Sequence, residues 1–164
     1  MAINTHPATG ITPTALWNAV NTDADIAMFI TEMEHRFAWR DAVIVLALDP
    51  ALCADDFGML AEHAHDPYSR SIMDRVLAGA FRGHAIIDAD RARRIARRLA
   101  EAGHTKRAVN PLAAAAYLDW AVGMEDEAIA LAGEALGINP RHTLSMIVLS
   151  AIDHGIHTDP ATRN

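Results

Sequence analysis

The sequence predicts an all-α protein, a single helical domain of packed antiparallel helices that spans residues 1–155. Apolar residues recur at helical spacing, as they do between residues 26 and 33. Helix-start signals, in which a capping side chain precedes an apolar stretch, also recur along the chain. The nearly all-apolar run 111–122 is followed by the alanine-rich run 127–140, and this order predicts a helical hairpin. Together the start and stop signals predict about seven to nine helices.

Two helix starts are expected near the N-terminus. Thr12-Pro13 combines a capping hydroxyl with a proline at the first helical position, where its missing N–H is not needed. Thr22 is expected to cap a second helix. Asp25 stands three residues later, at the partner position of a capping box.

The apolar run 43–48 is open to two interpretations. Its β-branched start suits a buried strand, but the only obvious partner strand, 84–87, is very short. An isolated strand would leave its backbone N–H and C=O groups unpaired. A helix from about Ala38 to Leu48 is therefore predicted, and Asp49-Pro50 ends it.

A short helix is expected to begin at Asp55 or Asp56, and a longer one is expected from Pro67 to Phe81. Start signals also define the helices of the C-terminal half. They lie at Asp88, Asn110-Pro111 and Asn139-Pro140. The helix that Asp88 caps is expected to end near Gly103. Residues 156–164, beyond the last helix, are predicted to form a disordered tail.

Composition limits the class of protein. The chain has 164 residues, a net charge of −7 and a single cysteine, Cys53. This length fits one domain that needs no disulfide, and a reducing compartment is expected. The N-terminus lacks the basic and apolar regions of a signal peptide, and no apolar run reaches the roughly 18 residues that cross a bilayer. The sequence thus predicts a cytoplasmic protein without membrane contact.

The clearest polar feature is a basic helix over residues 88–102. Residues 88–107 hold seven Arg or Lys against three acidic residues, whereas the rest of the chain is acidic. Four arginines on or beside the outer arc of this helix are candidate partner-binding residues: Arg91, Arg94, Arg97 and Arg98. A solvated helix face is the simpler interpretation, because charged outer faces are common and the net acidity disfavours binding to nucleic acid.

No residue pattern predicts a catalytic, cofactor-binding or metal-binding residue. Cys53 has no visible partner base and is expected to be a small, packed thiol. His63 and His65 are two residues apart, so their side chains diverge on a helix, and the sequence lacks zinc-ligand and phosphate-loop spacings. Arg40 and Asp41 are adjacent and are not expected to face each other, so ion pairs with other helices are expected instead.

The hairpin resembles one unit of a tetratricopeptide repeat. Ala128, Ala135 and Pro140 lie where the second helix of such a repeat places its small residues and its closing proline. In the first helix, Leu112 and Ala116 stand where Trp and Gly are typical. About three units are needed for a solenoid, so the resemblance implies a local hairpin and not a repeat array.

A wider resemblance runs from about Arg40 to Ile156. The matching features are Arg40-Asp41, the stretch from Pro111 to Trp120, Gly123, the segment from Ala128 to Pro140, and Gly155. In this alanine-rich pattern the chain resembles the C-terminal half of a domain family of unknown function that is found mainly in actinobacteria. The resemblance implies no activity, cofactor or site residue.

The sequence therefore predicts a non-catalytic protein-interaction or scaffold module that uses no cofactor. One alternative is a nucleic-acid-associated protein that binds through the arginine-rich helix 88–102. Another is an enzyme with an unrecognised site. An unknown protein is the expected partner, nucleic acid is not the favoured one, and the sequence leaves a homodimer open.

Overall fold

The computed structural model describes residues 10–159, which form a single all-α domain of nine helices. In chain order the helices are α1 (Pro13–Asn21), α2 (Ile30–His35, entered through the 3₁₀ turn Ala27–Phe29), α3 (Phe37–Leu48), α4 (Ala54–Glu62), α5 (Pro67–Met73, continued by the π-helical turn Asp74–Ala78 and the last turn Gly79–Phe81), α6 (Ala89–Lys106), α7 (Val109–Ala121), α8 (Glu125–Ile138) and α9 (Thr143–Asp153). The run 43–48 lies in α3, which confirms that it is helical.

Three of the helices begin at the residues that the sequence indicates. Thr12 Oγ1 accepts a hydrogen bond from Ala15 N (3.1 Å) at the start of α1. Asp88 Oδ1 accepts one from Arg91 N (3.0 Å) at the start of α6. At α5 the proline of Asp66-Pro67 is the first helical residue. In each case a side-chain oxygen satisfies an N–H group that has no partner within its helix.

Helix α7 lies at the centre of the domain. It packs against α2, α3, α6, α8 and α9. Residues 109–116 are all buried, and so are Leu118, Trp120 and Ala121. A helix that is apolar on nearly every side is stable only when its neighbours cover it completely. The apolar composition of this segment therefore explains its central position.

Helices α7 and α8 form the predicted antiparallel hairpin. The turn between them contains Gly123, whose φ of +82° favours glycine. On α8 the residues that face α7 are small and fully buried, namely Ala128, Ala132 and Ala135. Side chains of this size allow the two helix axes to approach closely.

Helix α6 is longer than predicted. It was expected to end near Gly103, but it continues to Lys106 and ends at Arg107, which has a left-handed backbone. Gly103 has a different role, because a Cβ atom there would lie 2.7 Å from Leu112 Cγ of α7. The glycine permits close contact between α6 and α7 and does not stop the helix.

The second predicted start, at Thr22, is wrong. Thr22 ends α1, and its hydroxyl donates to Asn18 O (2.7 Å). Asp25 accepts from Ala27 N (2.8 Å) in a local turn and makes no capping box with Thr22. Threonine and aspartate bond to nearby backbone groups in turns as readily as at helix starts, which explains the error.

The two Asn-Pro starts are also misplaced. Helix α7 begins one residue before Asn110, whose side chain is directed at other helices. Asn139 ends α8, and its Oδ1 accepts from Arg141 N (3.1 Å). Helix α9 begins later, at Thr143, and His142 is its N-cap. The Asn110-Pro111 pair therefore lies inside the first turn of α7 and does not cap it, whereas the Asn139-Pro140 pair lies in the turn between α8 and α9.

The segment after α9 folds back onto the domain. Three hydrogen bonds anchor residues 156–159: Trp120 Nε1 to Ile156 O (3.0 Å), Thr158 Oγ1 to Ala121 O (2.7 Å) and Asp159 N to Ala80 O (2.7 Å). The tail predicted for 156–164 therefore does not begin at 156, and its remainder, 160–164, lies outside the described residues. None of the helices between residues 10 and 159 is both long and apolar enough to cross a bilayer.

Candidate functional site

One arginine of the basic helix α6 binds the end of α1. Arg98 donates to Ala19 O (2.9 Å), to Val20 O (3.1 Å) and to the carbonyl group of Ala24. Carbonyl groups in the last turn of a helix have no intrahelical donor and carry partial negative charge. The Arg98 side chain is only 19% exposed, and burial lowers its pKa. Arg98 therefore caps α1 within its own chain.

Arg91 has a similar role at the end of α3. Its Nη2 donates to Leu46 O (3.2 Å) in the last turn of that helix and to Asn21 Oδ1 (2.8 Å). Burial is the main cause that lowers the pKa of Arg91. Arg94 and Arg97, in contrast, are exposed. The fold thus divides the four candidate arginines into two that bind the chain's own oxygen atoms and two that face solvent.

A buried polar network joins four helices around Asn110. Its side-chain amide donates to Met33 O (2.7 Å) and to Glu34 O (3.3 Å) at the end of α2. Its Oδ1 accepts from Arg40 Nη1 of α3 (3.1 Å) and is 2.8 Å from His142 Nε2 at the start of α9. Asn110 is 2% exposed, so these partners replace the water that the amide loses on folding.

The network determines which nitrogen of His142 carries the proton. Nδ1 lies 3.0 Å from the Ser145 hydroxyl and accepts from Ser145 N (3.4 Å). The proton is therefore on Nε2, which donates to Asn110 Oδ1. Burial, together with the positive charge of Arg40, lowers the pKa of His142. The ring is neutral at pH 7, and both of its nitrogens are engaged.

Arg40 does bond to its neighbour in sequence, contrary to the expectation. Its Nε donates to Asp41 Oδ1 (2.8 Å), and its Nη2 is 2.7 Å from the same oxygen. The Cβ atoms diverge, but the long arginine side chain reaches back to the carboxylate. The guanidinium also lies 5.1 Å from the ring centre of Phe37. The contact of Arg40 with another helix is to the Asn110 amide and not to a carboxylate.

A surface cleft opens beside this network, with a cavity volume of about 290 Å³. We call it the α3–α9 cleft; its lining residues are Phe37, Arg40, Asn139, Arg141, His142, Thr143, Leu144 and Ile147. Phe37 is 62% exposed and Ile147 is 52% exposed. The lining includes two arginines and no acidic residue. The cleft therefore combines exposed apolar surface with positive charge.

A larger cavity, of about 440 Å³, lies between α6 and the connection from α1 to α2. Its charged lining residues are Asp23, Asp25, Arg98, Glu101 and Lys106. Acidic and basic groups alternate there, and Arg98 already binds three carbonyl groups. This cavity offers no single charge that a ligand could complement.

The residues weighed for reactivity lie apart from the cleft. Cys53 is exposed, so the expectation of a packed thiol is wrong. Its Sγ accepts from Asp56 N (3.5 Å) and thereby caps α4. His63 and His65 are both exposed. Between residues 10 and 159 no three His, Cys, Asp or Glu side chains are grouped in a way that could hold a metal ion.

Sequence reasoning named Arg40 but missed Asn110, His142 and the cleft itself. The bonds of Asn110 join residues that are 32 to 77 positions apart in sequence, so no local pattern marks them. One signal was present in the sequence: Asn110 is a polar residue at the start of an otherwise apolar helix. Such a residue needs hydrogen-bond partners from other elements when it is buried.

Comparison with known proteins assigns no family. No protein-family model, curated protein or solved structure matches this chain. The resemblances to the actinobacterial family and to a tetratricopeptide unit therefore stay predictions from the sequence. The functional proposal therefore depends on the geometry of the α3–α9 cleft.

Proposed function

We propose that this protein is a non-catalytic protein-interaction module that docks its partner in the α3–α9 cleft. The observation that supports this most directly is the exposure of Phe37 and Ile147 at a concave surface. Scattered exposed apolar residues are ordinary, but apolar side chains grouped around a cleft are typical of docking sites.

The floor of the cleft is rigid, which favours binding. Arg40 and His142 line the cleft, and both are held by Asn110 beneath it. Asn110 in turn is bonded to the end of α2, so α2, α3, α7 and α9 are joined at one point. A preorganised surface loses little conformational entropy when a partner binds.

The same network supports binding over catalysis. His142 is the only lining residue whose side chain commonly transfers protons near pH 7. Both of its ring nitrogens already bond to Ser145 and Asn110, so neither is free to exchange a proton with a ligand. The proposal therefore contains no catalytic residue. A cytoplasmic location and membership of the actinobacterial family belong to the same proposal.

The exposed arginines of α6 leave nucleic-acid binding as the weaker alternative. Of the four candidate arginines, only Arg94 and Arg97 face solvent. Phosphate-backbone binding depends on the number of cations that contact phosphates, and Arg91 and Arg98 are engaged within the chain and do not add to this number.

Recovery of partners by purified chains tests the proposal. The wild type is compared with Ile147→Asp in the cleft and with Ile129→Asp on α8, where Ile129 is 43% exposed. We expect the wild type and Ile129→Asp to recover the same proteins from a lysate of the source cells, and Ile147→Asp to lose them. Matching circular dichroism spectra and melting temperatures establish that both variants are folded. Equal recovery by all three chains would refute docking in the cleft.

A further inference from the structure

We propose that the partner segment in the α3–α9 cleft is an acidic, apolar peptide of another protein, in which a carboxylate stands beside a leucine, isoleucine or phenylalanine. This inference rests on the proposed function, and it adds the chemistry of the partner. Two independent properties of the cleft support it: its unbalanced charge and its apolar walls.

The charge comes from Arg141. Arg40 lies close to Asp41 (2.7 Å), so its charge is balanced. Arg141 is exposed and forms no ion pair with any residue between 10 and 159. In a chain with a net charge of −7, this cleft therefore presents one unneutralised cation and no acid. A carboxylate of the partner would complement it.

The start of α9 adds to the same preference. Helix α9 begins at Thr143, inside the cleft. The first N–H groups of a helix have no acceptor within it, and His142 Nδ1 satisfies that of Ser145 from the cap position. The N-terminal end of a helix favours nearby negative charge, because the aligned peptide dipoles leave partial positive charge there. This contribution is small, and it has the same sign as that of Arg141.

The walls define the second property. Phe37, Leu144 and Ile147 give the cleft an aromatic and two aliphatic surfaces. Its volume of about 290 Å³ lies just below the range of roughly 300–1,000 Å³ that is typical of small-molecule sites. A cleft of this size admits a few side chains while the rest of a peptide lies across the surface. Nucleic acid fits poorly, because its phosphates need several cations and only Arg141 is unbalanced.

The experiment selects peptides on the immobilised full chain from a phage-displayed library of random 12-residue sequences. The enriched peptides are then synthesised and titrated against four variants. Arg141→Gln and Ile147→Ser change the cleft. Arg94→Gln and Ile129→Ser are matched controls, because they remove an exposed arginine from α6 and an exposed isoleucine from α8.

We expect enriched peptides to carry Asp or Glu beside a large apolar residue. Each cleft variant should weaken their binding about fivefold or more, and each control should change it less than about twofold. The enriched peptides could instead lack acidic residues, bind Ile147→Ser more weakly than the wild type and bind Arg141→Gln as tightly. This result would overturn the acidic preference while leaving docking in the cleft intact. Absence of enrichment, equal binding to all variants, or self-association of the chain that Ile147→Ser abolishes would overturn both proposals.

Discussion

The molecule has two basic surfaces, the outer face of α6 and the α3–α9 cleft, and they differ in what surrounds the arginines that a partner can reach. The face of α6 is conspicuous in sequence because its arginines are close together. In the cleft, Arg40 and Arg141 are far apart in sequence. On α6, Arg91 and Arg98 are occupied by oxygen atoms of the chain, while Arg93, Arg94 and Arg97 stay exposed. In the cleft, Arg141 is unpaired within the described residues and stands beside exposed apolar groups. The density of charge along a sequence therefore shows neither which arginines the fold occupies nor which of them adjoin apolar surface.

The largest expected effect is at the floor of the cleft. Asn110→Ala removes the amide that satisfies Met33 O and Glu34 O and that bonds to Arg40 and His142. Buried polar groups left without partners cost free energy, and we expect a loss of about 2–4 kcal/mol in the free energy of unfolding. Urea denaturation measures it.

The matched control for that change is Asn139→Ala. Asn139 is exposed, and its side chain accepts a hydrogen bond from the nearby Arg141 N. Its substitution should change the free energy of unfolding by no more than about 0.5–1 kcal/mol. If the two asparagine variants were equally stable, the network around Asn110 would not support the cleft.

The second effect separates the arginines of α6. Arg98→Ala removes the donor for the carbonyl groups at the end of α1, and hydrogen bonds to a charged group are each worth about 1.5–3 kcal/mol. We expect the variant to lose about 1–3 kcal/mol of stability in thermal or urea unfolding, while Arg94→Ala changes it by about 0.5 kcal/mol or less. Equal losses of stability for the two variants would contradict the division of the α6 arginines into those that bind oxygen atoms of the chain and those that face solvent.

A third prediction concerns Asp119 of α7, on which the charges of Arg93 and Arg97 of α6 act. Burial, and then the charge of Glu127, raise the pKa of Asp119 to about 6, and the two arginines partly oppose this rise. The folded state therefore binds this proton more tightly than the unfolded state, whose carboxyl has a pKa near 3.8. The contribution of Asp119 to stability increases as the pH falls from about 6 towards 3.8 and is absent at higher pH.

Asp119→Asn tests this sign. Because the neutral amide cannot be charged, we expect the variant to be more stable than the wild type at pH 7.5. The difference should shrink as the pH falls below about 6. Urea denaturation at pH 7.5, 6 and 4.5 measures it. A difference that does not depend on pH would show that Asp119 titrates at an ordinary pKa.

The smallest expected effect belongs to the exposed half of the α6 face. The double change Arg94→Glu and Arg97→Glu should alter the free energy of unfolding by no more than about 1 kcal/mol, because exposed charge pairs contribute little. Partner recovery should be unchanged. Binding to a 20-base-pair DNA duplex is measured for the wild type and the double variant at increasing salt. If the wild type bound the duplex with an affinity that falls steeply with salt, and the double variant did not bind, the nucleic-acid alternative would be the better one.

The sequence predicted the helices well because their signals are local. Apolar spacing placed α3 and α7, and Thr12 and Asp88 marked true starts. Errors arose where one residue type serves two purposes. The sequence predicted a helix stop at Gly103, but this glycine lies where α6 touches α7. The error arose because only the fold shows that Leu112 is near Gly103.

The candidate site was less predictable because it depends on contacts between distant segments. The sequence placed the arginines of α6 on one arc, but which of them are occupied depends on where α1 and α3 end. Asn110 was misassigned as a cap because its partners are contributed by α2, α3 and α9. Only the folded chain brings a charged residue and exposed apolar residues together at one concave surface.

The most direct test of the central claim is to map the bound partner onto the two basic surfaces. Two-dimensional ¹H–¹⁵N NMR spectra of the full chain would be recorded during titration with the most enriched selected peptide. We predict that the largest changes in chemical shift occur at Phe37 and between Arg141 and Ile147, with little change at Arg94 and Arg97. Changes concentrated at Arg94 and Arg97 would show that the face of α6, and not the α3–α9 cleft, is the interface.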